Sequence, residues 1–308
     1  MVVTVVGATA SGKSELAVQL ALRLAREYAL GAQVINADSM QLYRGMDIGT
    51  AKLSPAEQRG VAHHLLDVLE VTEPADVATY QRMSRERIDQ AHGTGDVPIL
   101  VGGSGLYVRA ALDELEFPGT DPAVRARLEA ELAHTGPGVL HERLREQDPA
   151  AAESILIGNG RRIVRALEVI ELTGRPFTAR LPSHTARYPA VQLGLAVPRS
   201  ELDPRIERRV ERMWQAGLVE EVRELEQRGL RAGRTAPRAL GYAQVLDCLA
   251  GTTDEAHAQA STVQATRRFA RRQESWFRRD PRIHWLPFDA PDLVEQALRL
   301  TVPALTGR

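Results

Sequence analysis

The run GATASGKS at positions 7 to 14 has the spacing G-x-x-x-x-G-K-[ST]. A loop of this kind binds phosphate for physical reasons. Its glycines let backbone N–H groups turn inward around an anion, and the helix that follows points its positive end at the same place. Lys13 adds an ammonium, and the Ser14 hydroxyl can ligate Mg²⁺. Lysine occurs in this protein only at Lys13 and Lys52, so Lys13 stands out against an otherwise arginine-based set of cations. A compact ammonium on a flexible stem suits a phosphate loop better than a planar guanidinium. Most such loops bind nucleotides, ATP above all. The spacing therefore nominates Gly7, Thr9, Ala10, Ser11, Gly12, Lys13 and Ser14 as ligands of a nucleotide or a diphosphate.

Asp38 is the second candidate. It follows the apolar segment QVINA, and a carboxylate at the carboxyl end of a parallel strand sits where ligands bind in such sheets. Its roles there are Mg²⁺ ligation through water or general base; as a turn residue, Asp-Ser is also good capping chemistry. The later strand VPILVGG ends in glycine and serine rather than in the Mg²⁺-holding Asp usual for phosphate-loop NTPases.

Arginines gather in three further segments. Arg161, Arg162 and Arg165 lie in GRRIVRALE, and Arg205, Arg208, Arg209 and Arg212 in DPRIERRVERM. Arg267, Arg268, Arg271, Arg272, Arg278 and Arg279 lie in ATRRFARRQESWFRR, with Phe269, Trp276 and Phe277 between them. The first two segments read equally well as solvated helix faces. The third has a single acid among its arginines and suits a nucleic-acid backbone, with Trp276 or Phe277 as a core anchor.

These residues need elements to hold them. Val2 to Val6, Gln33 to Ala37 and Val97 to Val101 read as buried parallel strands; Ser14 to Glu27 and Val77 to His92 read as helices between them. The alternation predicts an α/β fold, a phosphate-loop NTPase-like parallel sheet flanked by helices. After FPGTDP the texture becomes helical with breakers, which predicts a small helical insertion domain at 116–189 within a core of 1–115 plus 190–308. Pro189 to Val197 reads as a return to the sheet, and Arg205 to Gln227 as one long amphipathic helix. No apolar run is long enough to span a membrane and no signal peptide is visible. The single cysteine, Cys248, excludes an intramolecular disulfide or a multi-cysteine zinc site and suits the cytoplasm. From the residues alone two functions stay open: a phosphate-loop kinase, or a transferase acting on a nucleic acid.

The joined motifs are far more specific. GATASGKS is followed by NADSMQLYRGMDIGTAK at 36–52, HHLLD at 63–67, GGSGLY at 102–107, RRIVRALEVIELTGRP at 161–176 and RRFARRQESWFRR at 267–279. Over essentially the whole length, and in this order, the sequence resembles the tRNA dimethylallyltransferase (tRNA isopentenyltransferase) family. It departs at Ala8, where the family has proline, and at Ser104, where it has threonine. The resemblance implies transfer of a dimethylallyl group from dimethylallyl diphosphate to N6 of the adenosine 3′ of the anticodon, with Mg²⁺ at Ser14. It implies Asp38, Lys13 and Ser14 as the catalytic set, and Arg205 or Arg209 as a clamp on the diphosphate. It implies the tRNA anticodon stem-loop as partner, at Asp38, Ser39, Met40, Gln41, Ser104, Arg125, Arg161, Arg162 and Arg165, with Arg267, Arg268, Arg271 and Arg272 on the basic helix. A cytoplasmic monomer is the expected form. Transfer to free adenine nucleotides is the nearest alternative; the insertion and the basic helix argue against it, since a free nucleotide needs neither.

Overall fold

Val2–Val6 (β1) is buried along its whole length, as a β-branched strand covered on both faces must be. It is the fourth strand of a six-stranded sheet in the order β3-β2-β4-β1-β5-β6. The others are Ala32–Asn36 (β2), His63–His64 (β3), Val97–Gly102 (β4), Ala190–Ala196 (β5) and Ile283–Pro287 (β6). Every pairing is parallel. All the carboxyl ends therefore lie on one edge, where the loops after β1, β2 and β4 come together. The computed structural model describes residues 1–177 and 185–307.

The helices are Lys13–Tyr28 (α1), Pro55–Gln58 (α2), Val77–Thr94 (α3), Gly105–Leu112 (α4), Pro122–Thr135 (α5), Pro137–Gln147 (α6), Pro149–Ser154 (α7), Gly160–Thr173 (α8), Arg199–Gln215 (α9), Leu218–Gln227 (α10), Tyr242–Leu249 (α11), Glu255–Phe277 (α12) and Leu293–Thr306 (α13). Helix α1 buries Leu16, Leu20 and Leu24 against Val3, Val5, Val34, Ile99 and Leu193 of the sheet, with α13 closing the same core. A second apolar cluster joins Ala8 of the phosphate loop to Leu202, Ile206 and Val210 of α9 and Ala270 of α12. The sheet is thus α/β and phosphate-loop NTPase-like, as its sequence pattern predicts. Among the described residues no helix is long and apolar enough to cross a membrane.

The protein divides into two units: Met1–Asp113 with Ala186–Arg308, and Glu114–Thr185. The second unit is a four-helix cluster, α5 to α8, packed around Leu128, Leu140, Leu144, Ile163 and Leu167. Three prolines in its sequence sit at helix starts: Pro122, Pro137 and Pro149 all occupy first-turn positions.

One expectation changes, and one element had no expectation to meet. The stretch from Arg205 to Gln227 is two helices, not one. Gly217 adopts φ 95°, a left-handed conformation that ends helical continuity and starts α10. The edge strand β6 carries no clean alternation of apolar residues, with three of its five positions partly or fully exposed, and its sequence does not announce it.

Candidate functional site

Where β1 ends, the backbone turns through the phosphate loop into α1. Helix α1 begins at Lys13 with no hydrogen bond from a capping residue, so its first-turn amides face the loop. Gly12 is left-handed at φ 98°, as is Ala10 at φ 64°. Ser11 is buried and its hydroxyl has no hydrogen-bond partner among the described residues, so it lines the loop's inside rather than the site. Arg205 Nε donates to Ala10 O at 2.9 Å, and its guanidinium lies over the Phe288 ring.

One cavity opens at the loop. Its polar wall includes Thr9, Lys13, Ser14, Asn36, Asp38, Gln41, Thr50, His63 and Arg209. Its apolar wall is Ala17, Val34, Leu53, Leu66 and Val101. Arg205 is absent from that lining; Arg209, one turn further along α9, reaches it and donates to Thr50 O at 3.3 Å. Burial, then the charge of Arg209, lowers the Lys13 ammonium to about 8, against a smaller opposing pull from Asp38. Burial likewise lowers Arg209, again opposed by Asp38. Burial lowers His63 and favours its neutral form. The cavity is thus a desolvated cationic site with one carboxylate.

Asp38 is held by its neighbours. Buried Asn36 accepts from Asp38 N–H at 2.9 Å and donates to Asp38 O at 2.9 Å and to Leu65 O at 3.0 Å. Asp38 Oδ1 accepts from Met40 N–H at 3.0 Å; Oδ2 has no hydrogen-bond partner among the described residues. Ser39 N–H donates to Ser104 Oγ at 3.4 Å, which sets the turn after β2 beside the turn after β4. Gln41 Nε2 donates to Thr50 O at 3.1 Å. Met40 packs against the cluster centred on Tyr43 and Met46.

The segment Asp47 to Thr50 is fixed from a distance. Glu221 of α10 accepts from the N–H groups of Asp47, Ile48 and Gly49 at 3.1, 2.7 and 3.2 Å, and from Tyr242 Oη at 2.5 Å. Lys52 donates to Tyr43 O, Asp47 and Asp67, so the second lysine is a staple of this segment.

The basic residues divide by surroundings. Arg268, Arg271 and Arg272 are exposed on α12, while Arg267 is half-buried and turned to Glu207 at 2.7 Å. Phe277 is buried and Trp276 exposed in part. In the other unit Arg125 and Arg165 both pair with Glu168, which is fully buried; Arg161 and Arg162 are exposed at the start of α8. The structure thus brings Lys13, Ser14, Asp38, Gln41 and Arg209 to one cavity and gives Arg125, Arg165 and Arg267 acidic partners inside their own units.

Sequence reasoning missed Asn36, Thr50, His63, Glu168, Glu221 and Gln273. Asn36, Thr50, His63, Glu168 and Gln273 all lie inside motifs already singled out. Glu221 lies outside them and has no local signature that marks its role.

A family model described as IPP transferase matches residues 41–280. A tRNA dimethylallyltransferase of Thermobifida fusca is 70% identical over 97% of this protein and 93% of its own length. One from Kineococcus radiotolerans is 68% identical over 94% and 91%. The crystal structure of the tRNA isopentenylpyrophosphate transferase of Bacillus halodurans superposes with TM-score 0.73 at 37% identity, covering 99% of this protein and 97% of that one. A eukaryotic dimethylallyltransferase acting on tRNA shares the fold, with TM-score 0.84 at 23% identity over 100% and 80% of the two proteins. On the length and identity of these matches, the protein belongs to the IPP transferase family, the tRNA dimethylallyltransferases.

Proposed function

We propose that this protein moves the dimethylallyl group of dimethylallyl diphosphate onto N6 of the adenosine 3′ of the anticodon in tRNA. The observation that carries the reading is the joint lining of one cavity by the phosphate loop and Asp38. A leaving diphosphate and a proton acceptor then share one enclosure. The N6 lone pair attacks the allylic C1, the C1–O bond breaks, and its electron pair leaves with the diphosphate. N6 gives up a proton as the new C–N bond forms, and Asp38 accepts it. The carboxylate needs no raised pKa, because the alkylated nitrogen is strongly acidic.

Adenine N6 is a poor nucleophile, so rate depends on stabilising the departing diphosphate. First-turn amides of α1 and the Lys13 ammonium supply that stabilisation in a desolvated site. Arg209 is the proposed clamp, since it reaches the cavity while Arg205 is committed to Ala10 O. Arg205 instead braces the loop. The apolar wall of Ala17, Leu53 and Leu66 suits the five-carbon tail. Ser14 Oγ is a hard oxygen donor on the same cavity, and with the substrate's phosphates it would hold Mg²⁺. Mg²⁺, when bound, would neutralise charge on the diphosphate oxygens.

On this reading the adenine leaves its stack to enter the cavity beside Asp38 to Gln41 and Ser104. The 114–185 unit, with Arg161 and Arg162, and the basic face of α12 bind the anticodon stem-loop.

The test is transfer of radiolabelled dimethylallyl diphosphate, with Mg²⁺, to unmodified tRNA, AMP and ATP in parallel. Label in tRNA alone is the expected result. Label in AMP or ATP instead would assign the cavity to free nucleotides.

A further inference from the structure

Gln273 joins two loops that no backbone–backbone hydrogen bond links among the described residues. It lies on α12, is 5% exposed, and uses both ends of its amide. Its Oε1 accepts from Thr9 N–H of the phosphate loop at 2.9 Å. Its Nε2 donates to Gly103 O, in the turn after β4, at 2.9 Å. A backbone amide can only donate and a backbone carbonyl only accept, so the two partners fix which way the Gln273 amide points. A Cβ on Gly103 would lie 2.2 Å from Gln273 Nε2, so this close approach requires glycine at 103. The next residue, Ser104, receives the Ser39 N–H at 3.4 Å. One path of contacts therefore runs Thr9, Gln273, Gly103, Ser104, Ser39, from the diphosphate end of the cavity to the turn that carries Asp38.

We infer that Gln273 is a positioning residue that sets the distance between the departing diphosphate and the acceptor nitrogen. This rests on the transfer reaction proposed above. Gln273 touches neither substrate. Each substrate is held by other groups: the donor by the phosphate loop, Lys13 and Arg209, the acceptor by the turns after β2 and β4. Losing the bridge lets the two loops drift relative to each other while each keeps its own ligand. Its mark is a fall in kcat with little change in either binding constant, because misplacement by about 1 Å costs roughly 10²-fold in rate.

The experiment compares the full-length parent, Gln273→Leu and Gln273→Glu on unmodified tRNA. It measures kcat, donor KM and tRNA Kd from pH 6 to pH 8.5. Gln273→Leu is expected to lose roughly 10²-fold in kcat at every pH, with both affinities within about threefold of the parent. Gln273→Glu keeps the acceptor for Thr9 but donates to Gly103 O only when protonated. Burial beside a carbonyl raises such a carboxyl. The kcat of this variant relative to the parent should therefore climb by about tenfold as pH falls across that range, while the Gln273→Leu ratio stays flat. A change in packing alone does not titrate. If Gln273→Leu fails to fold, the pH series of Gln273→Glu decides by itself. A Gln273→Leu kcat within about threefold of the parent, or one pH-independent ratio for both variants, overturns the inference. A parent that labels no tRNA overturns the transfer reading instead.

Discussion

Lys13 and Arg209 reach the same cavity from the phosphate loop and from α9, and the guanidinium adds to burial in holding the ammonium at about 8. An anion binds the protonated form, so sulfate, whose own charge does not change in this range, should bind with constant affinity below about pH 8. Above it, as the ammonium is lost, affinity should weaken by up to about tenfold per pH unit. Titration calorimetry across roughly pH 7 to 9.5 measures this directly. Arg209→Met should move the onset to higher pH, because one cause of the depression is gone, while lowering affinity throughout. An unshifted onset would mean that Arg209 does not act on Lys13.

Asp38→Asn should reduce transfer by about 10²- to 10⁴-fold, the span of general-base catalysis, with tRNA affinity retained. Asparagine keeps an oxygen for Met40 N–H, so the turn survives while the proton acceptor is lost. Gel-shift and single-turnover assays on the same preparation separate the two. Near-parent turnover would remove Asp38 from the chemistry.

Glu221→Ala should destabilise the 1–113/186–308 unit by about 2–4 kcal/mol, since it strips the acceptor from three backbone N–H groups and a buried tyrosine hydroxyl. Glu221→Gln should cost less, having one oxygen left to accept. Urea unfolding measures both. Donor affinity should fall with Glu221→Ala as well, because the freed segment ends in Thr50, the partner of Arg209.

In the 114–185 unit, burial pushes the Glu168 carboxyl up, but Arg125 and Arg165 overcome this and hold it below its ordinary value of 4.5. The stability this supplies is fully present above pH 4.5 and is lost as pH falls through the lower folded value. Arg125→Met with Arg165→Met leaves a buried carboxylate unpaired and should cost about 3–5 kcal/mol at neutral pH. Adding Glu168→Leu should recover most of it. Thermal melts of the parent and the two variants test this, and show whether weaker tRNA binding by the arginine variants reflects lost contact or lost fold.

Replacing Arg268, Arg271 and Arg272 with alanine should weaken tRNA binding and leave donor KM unchanged. The slope of log K against log salt should shrink by about 0.7 to 0.9 for each phosphate contact removed. Equal losses for tRNA and donor would point to misfolding of α12 instead.

Much of the site was legible because its chemistry is local. The phosphate loop works through consecutive amides and the residue after them, so its short motif suffices to read Lys13 and Ser14. Asp38 is legible because strand ends in parallel sheets share one edge. The family was legible from the joined motifs in their order, the 36–52 segment being far more specific than the phosphate loop. The division of Arg205 to Gln227 was not legible from its apolar stripe. Leu218, Val222 and Leu225 continue a helical spacing, and only the left-handed backbone at Gly217 shows the break.

By itself, then, the sequence determined the α/β sheet, the anion-binding loop, the strand-end carboxylate and the family. Tertiary structure decided which arginine enters the cavity, which arginines are spent on internal acids, and what holds the loops in register. Gln273 lies 264 positions from Thr9, and Glu221 lies 172 to 174 positions from the amides it accepts. Those contacts depend on how α10 and α12 pack within the fold, and no local spacing encodes them. A residue's partner across such a distance is a property of packing, and packing is where the fold turns a list of charges into a site.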